Sequence, residues 1–239
     1  MGNTRTQTLR EFILIFGLAG LVATAAQGQA PSGPATQAPA KPSRIPIDTQ
    51  SRSAPAAEPL SAETIIQKAN AYLNGANSFV ADFVQTGADA RRSEGKLYVQ
   101  RPGRMRFEYA APATLEIVAD GTSVAIHDRK LATQDMYFLS QTPLKFLLKD
   151  KIDLRKDVRI LDVTSDKKNA VISVEDKATF GGTSLIKLIF DPRTFVLKQW
   201  QVTDPQGYET LVSLFNINVD QTPDPSLFRI DTDRLLNAN

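Results

Sequence analysis

Alternation of apolar and polar side chains runs through the middle of the chain, from Glu94 to Asp128. Leu97 and Val99, then Met105, Phe107 and Tyr109, then Leu115, Ile117 and Ala119, then Val124 and Ile126 recur at every second position. A period of two places such a set on one face of a sheet. The runs are separated by Pro102-Gly103, Ala111-Pro112 and Asp120-Gly121, all turn formers. The pattern predicts four antiparallel strands in a meander with an apolar, aromatic-rich concave side. Arg104, Arg106 and Glu108 take the other face of their strand and read as a solvent face.

On the N-terminal side, Phe79, Ala81 and Phe83 alternate with Val80, Asp82 and Val84, which predicts a further strand. A helix precedes it. Ser61 is a plausible N-cap with Glu63 in the first turn, and Ile65, Ile66, Ala69, Tyr72 and Leu73 form one apolar stripe before Gly75. The segment 129–141 fits neither period. Thr142-Pro143 then looks like a cap followed by a first-turn proline, so a second helix is expected near 143–149. Leu144, Leu147 and Leu148 would be its inward stripe, with Ile152 one turn on. The mixed charges from Lys149 to Arg159 read as a solvated face. Strand-like runs resume near 158–163, 171–174, 185–190, 195–202 and 208–216, with a last one at 227–230. The total of about ten or eleven short strands fits an α+β chain that is mainly β, a curled antiparallel sheet or barrel.

The first residues change the expected address. Arg5 and Arg10 precede the apolar run Phe12–Leu21, and small residues follow at Val22–Ala26. This has the form of an export signal, here taken as residues 1–26. Its removal would take two arginines and one glutamate and leave the chain nearly neutral. Residues 27–59 are rich in Ala, Pro, Ser and Gln, too poor in apolar groups to offset the entropy of ordering, and read as a tether. A domain over 60–233 and a tail at 234–239 complete the expected organisation.

Candidate chemistry is sparse. The chain has no cysteine and one histidine, His127, whose parity puts it on the outer face. Thiolate chemistry is excluded, and a metal set would have to be built from carboxylates, poor ligands for transition metals. Gly181-Gly182 precedes a strand, so it reads as a hairpin turn and lacks the helix of a phosphate cradle. Mixed charges and a formal net charge of +2 argue against a nucleic-acid footprint. No cofactor is expected, and an enzyme lacks its parts. What remains is the apolar interior. A sheet of eleven strands is wider than the eight that side chains alone can fill, so it must be plugged by helices or host an apolar ligand. Phe79, Phe83, Met105, Phe107, Tyr109 and Trp200 either fill a core or line such a space. Arg101 continues the parity of Leu97 and Val99: either it points inward and hydrogen-bonds carbonyls of a facing helix, or Pro102 breaks the phase and leaves it in solvent.

Six stretches together resemble the periplasmic outer-membrane lipoprotein carrier family (LolA-like). They are S-F-x-A-D-F-x-Q at Ser78–Gln85, G-x-L-x-V-x-R-P-G-R-M-R-F at Gly95–Phe107, P-x-x-x-x-I-V-A-D-G at Pro112–Gly121, T-P-L-x-x-L-L at Thr142–Leu148, D-P-x-x-x-x-L at Asp191–Leu197 and D-x-x-G-x-x-T at Asp204–Thr210. The resemblance implies an unclosed antiparallel barrel of about eleven strands, with helices covering an apolar cavity that takes acyl chains. Its expected wall is Phe79, Phe83, Leu97, Val99, Met105, Phe107, Tyr109, Ile117, Leu144, Leu147, Leu148 and Trp200, and the family's gating arginine falls on Arg101. The implied partners are acylated lipoproteins, an inner-membrane ABC-type releasing complex, and an outer-membrane receptor or the outer membrane itself. A periplasmic monomer that does not bind nucleic acid is expected. The family's aromatic after the D-G turn is replaced by Ala125 or Ile126. A sensor or regulatory domain of the envelope with the same half-barrel is the alternative reading.

Overall fold

Ser61 caps the first helix as its side chain predicts: its Oγ accepts a hydrogen bond from the Thr64 backbone N–H at 3.2 Å. The computed structural model describes residues 60–179 and 181–232. The expected leader, tether and tail lie outside them. Helix α1 (Ala62–Gly75) buries Ile65, Ile66, Ala69 and Leu73, the stripe its spacing defines. Strands β1 (Ser78–Thr86), β2 (Arg92–Gln100), β3 (Arg104–Tyr109), β4 (Leu115–Asp120), β5 (Ser123–Asp128) and β6 (Thr133–Phe138) follow as an antiparallel meander. A second meander contains β7 (Arg159–Ser165), β8 (Ala170–Thr179), β9 (Gly182–Phe190), β10 (Leu197–Thr203) and β11 (Glu209–Asn218).

All eleven form one sheet in the order β6-β5-β4-β3-β2-β1-β11-β10-β9-β8-β7. The seam between the meanders is the antiparallel pair β1–β11. The sheet is not closed: β6 and β7 are its two edges. This is the expected unclosed antiparallel barrel. Its inner face carries a continuous core in which Phe83, Leu97, Phe107 and Ile117 from the first meander join Ile172, Ile186, Leu188 and Val212 from the second. Helix α1 adds Ile65, Ile66, Ala69 and Leu73 to the same core, and the crossover from β6 to β7 adds Phe146, Ile152 and Leu154.

Several elements differ from the pattern reading. The irregular 129–141 stretch contains strand β6, whose residues are half-buried at best because it is an edge strand. The expected α-helix at 143–149 is a 3-10 turn, Lys145–Leu148, entered through Leu144 at φ +67°. Thr142 does not cap it; its hydroxyl donates back to the Leu139 carbonyl at 2.8 Å. The run 149–159 is only partly a solvated face. It contains a one-turn helix α2 (Leu154–Asp157), and Ile152, Leu154 and Val158 are buried. A bulge between Ile160 and Asp162 exposes Leu161 and lets both Ile160 and Val163 pack on the core, which no strict alternation allows.

The last expected strand, 227–230, is instead a 3-10 turn, Pro225–Phe228, lying on the outer face of β3 and β4. Phe228 is buried there, as are Val118 and Ala125 of the outer face. Arg106, expected in solvent, is therefore largely covered: it pairs with Glu116 at 3.1 Å and donates to the Leu227 carbonyl at 3.2 Å. His127 does lie on the outer face, in register with Glu116 and Gln134.

Gly95 sets the tightest approach in the sheet. It lies in register between Phe83 and Tyr109, whose rings meet edge to face at 5.0 Å. A Cβ at position 95 would fall 2.0 Å from the Glu108 carbonyl oxygen. Gly95→Ala should therefore lower stability by about 1–3 kcal/mol through overpacking. Urea denaturation checks this, and an unchanged midpoint would contradict the close approach.

Candidate functional site

The roof over the inner face is made of two pieces fastened by side-chain amides. Asn74, near the end of α1, donates from Nδ2 to the Ile152 carbonyl at 2.8 Å and accepts from the Ile152 N–H at 2.9 Å. Asn70, one turn earlier, accepts from the Leu154 N–H at 3.1 Å. These bonds satisfy backbone groups of the crossover that have no strand or helix partner. An ion pair between Arg155 and Glu63 joins the same two pieces.

Arg101 fastens this roof to the sheet. It follows the last residue of β2, and its guanidinium donates to the Leu73 carbonyl in the last turn of α1 and to the Lys149 carbonyl of the crossover, the latter at 3.3 Å. The end of a helix leaves carbonyls without partners and a partial negative charge, so a guanidinium suits it. Arg101 thus points inward, and Pro102 does not break its phase. Burial draws its pKa below the ordinary arginine value, with Asp150 opposing; the group remains a cation at any physiological pH. Beside it the Gly103 N–H donates to the Leu148 carbonyl at 2.7 Å. Elsewhere on the roof, Lys145 forms an ion pair with the buried Asp176 of β8 at 2.5 Å.

Between roof and sheet is an apolar cavity of about 80 Å³. Of the expected wall, Phe79, Leu97, Val99, Met105, Phe107, Leu144, Leu147, Leu148 and Trp200 line it, and so does Arg101. Phe83, Tyr109 and Ile117 do not reach it; they are buried in the layer behind, where Phe83 packs against Phe107 at 4.9 Å and the Tyr109 hydroxyl donates to Gln85 Oε1 at 2.8 Å. The wall also includes groups that the pattern reading passed over. Tyr72, Leu73 and Ala76 come from α1 and the residue after it, and Leu197, Val202, Val212 and Leu214 from the second meander. Their signal was present, since Trp200 shares its parity with Val202, and Val212 with Leu214. Gln85, Thr210, Thr142 and Pro143 complete the wall. At the positions after the D-G turn, Ala125 is buried outside the inner core and Ile126 faces the core.

The volume decides what the closed form can hold. Pockets for drug-sized molecules run to about 300–1,000 Å³, several times this void. A void of this size does not hold a long hydrocarbon chain in full. Aliphatic and aromatic side chains pack the roof without direction; the polar ties of Arg101, Asn70, Asn74 and Lys145 add directional contacts to that packing.

An open antiparallel half-barrel with a two-piece roof over an apolar void defines the class: a lidded β-container. The chain belongs to the outer membrane lipoprotein carrier protein LolA family, whose model matches residues 74–231. Among its relatives, the outer-membrane lipoprotein carrier protein of Methylococcus capsulatus is 28% identical over 178 residues, covering 70% of this chain and 84% of that protein. That of Nitrosomonas europaea is 26% identical over 173 residues, covering 69% and 83%. Similar solved structures include a LolA superfamily protein from Nitrosomonas europaea, with a TM-score of 0.42 at 11% identity over 72% of this chain and 98% of that one. The MucA/MucB complex of Pseudomonas aeruginosa gives a TM-score of 0.38 at 16% identity over 71% and 62%.

Asn74→Ala removes both bonds to Ile152 and leaves two backbone groups unpaired, a loss of about 1–3 kcal/mol. Amide hydrogen exchange should accelerate across the crossover by the corresponding factor while the strands of the first meander keep their protection. Equal protection of the crossover in both proteins would show that the amide does not hold it.

Proposed function

We propose that this protein is a periplasmic carrier, not an enzyme, which takes acylated lipoproteins released from the inner membrane by an ABC-type complex and delivers them to the outer membrane or a receptor there. Acyl chains occupy the apolar cavity, and α1 and the crossover yield to admit them, with Arg101 as the latch. The observation that carries this reading is the small closed void under a roof tied down by hydrogen bonds to Arg101. Family membership and the curated carrier relatives support it.

Magnitudes explain why a roof that must be displaced is useful. Burying hydrocarbon contributes about 0.8 kcal/mol per methylene. Three long chains, fully buried, would exceed the roughly −18 to −21 kcal/mol at which non-covalent affinity saturates. Such a complex would never release its cargo. Breaking the roof contacts on loading offsets part of that gain, and their re-formation on unloading favours release.

Arg101→Leu removes both latch bonds and adds an apolar group to the wall. The variant should fold, accept lipoprotein and fail to hand it on, so that loaded carrier accumulates. Normal growth and normal lipoprotein sorting with this variant would remove the latch. Native mass spectrometry of protein taken from the periplasm tests the reading as a whole. A bound triacylated lipoprotein is expected; a signalling partner without any acylated protein would move the function to an envelope sensor.

A further inference from the structure

The inner face of the sheet is not apolar throughout. Among the described residues, the buried polar side chains are Gln85, Thr142, Asp176, Thr179, Ser184, Asp204 and Thr210. Thr142 belongs to the roof. The other six gather at one end of the half-barrel, as the register shows: Asp176 pairs with Ser184, Val202 with Thr210, and Gln85 with Val212, two residues from Thr210 on the same face. Arg101 is at the opposite end, because β1 starts with Ser78 paired to Gln100. Phe79 and Gln85 both line the cavity, and their six-residue separation along β1 spans roughly 20 Å. The cavity wall therefore runs the length of the strand, from a cationic mouth to a polar end.

Most of the polar cluster is engaged away from the cavity, Asp176 with Lys145 of the roof. Thr179 and Ser184 share a hydrogen bond of 2.9 Å, and Asp204 accepts from the Gln206 and Tyr208 N–H groups at 2.8 and 2.9 Å. Only Gln85 and Thr210 reach the cavity. Gln85 is fixed there by the Tyr109 hydroxyl; burial pushes the phenol pKa far up, so it stays a donor. Hydrocarbon advancing along the apolar wall gains free energy with each methylene until it meets this end. To go further it must part Gln85 from Tyr109 and leave both facing hydrocarbon, which is costly for buried polar groups.

We propose that Gln85, held by Tyr109, and Thr210 form a polar floor that limits how far a saturated acyl chain enters, and so set the chain length this protein prefers. The inference rests on the carrier reading and adds a length-determining pair to it.

The test is a homologous series of saturated fatty acids, from lauric to stearic, binding to the full chain by displacement of a fluorescent apolar probe. Affinity for the wild type should climb about fourfold per methylene and then level at the length that touches the floor. In the triple variant Gln85→Leu, Tyr109→Phe, Thr210→Val both ends of the Gln85–Tyr109 bond are removed together, and the break should move to a longer chain. Thr210→Val alone, a near-isosteric change that spares the Gln85–Tyr109 bond, should move it part of the way and serves if the triple variant does not fold. A break at the same length in wild type and variants would overturn the floor and leave the carrier intact. Failure of every acid to bind the folded wild type would overturn the carrier reading and the floor with it.

Discussion

An apolar surface eleven strands wide has to be kept from water, and the rest of the molecule answers to that requirement. A closed small barrel can fill its own centre with side chains, but a wide open sheet cannot. The chain solves this by laying α1 and the β6–β7 crossover across the concave side, where they contribute Ile65, Phe146 and Leu154 to one core with the strands. Hydrophobic burial is strong but without direction. The placement of the roof is given by a few polar contacts: Asn70 and Asn74 to the crossover, Arg101 to two carbonyls, Lys145 to Asp176. Removing water holds the roof down; these contacts decide where it sits.

The two ends of the cavity are built differently for the same reason. At the Arg101 end the polar partners are backbone carbonyls of α1 and the crossover. At the Gln85 end the partner of the cavity-lining glutamine is a side chain on the sheet itself, Tyr109 on β3. That contact joins two strands of one continuous sheet, β1 and β3, across β2. One end is tied through backbone carbonyls, the other through side chains.

Much of this was legible in the residues. The alternation through β1 to β5, the Ser61 cap and the stripe on α1 follow local rules that tertiary contacts reinforce. The parity of Arg101 with Leu97 and Val99 left two readings open, inward or turned to solvent by Pro102, and only coordinates show the guanidinium on the Leu73 and Lys149 carbonyls. Elements whose shape depends on distant partners were not legible. The β7 bulge shifts Leu161 out of phase because β8 pairs with Ile160 and then Asp162. The segment 142–148 has the composition of a helix start, yet adopts a 3-10 turn with Leu144 at positive φ so that Leu147 and Leu148 face the cavity. Phe228 reads as a strand residue in isolation and is instead a plug for the outer face of β3 and β4. Phe83, Tyr109 and Ile117 have the right parity for a wall, but parity cannot tell a first layer from a second.

The central seam carries a consequence for how the chain reaches this form. Strand β1 is among the first elements made, and its partner β11 is among the last, with some 130 residues between Phe83 and Leu214. Each meander can assemble from near neighbours, whereas joining them requires closing a very long loop. Until the C-terminal strands arrive, β1 presents an unpaired edge beside the greasiest part of the sheet, the kind of surface that invites another chain. The chain thus passes through a stage in which the inner face of its first meander lacks the strands that later complete the sheet.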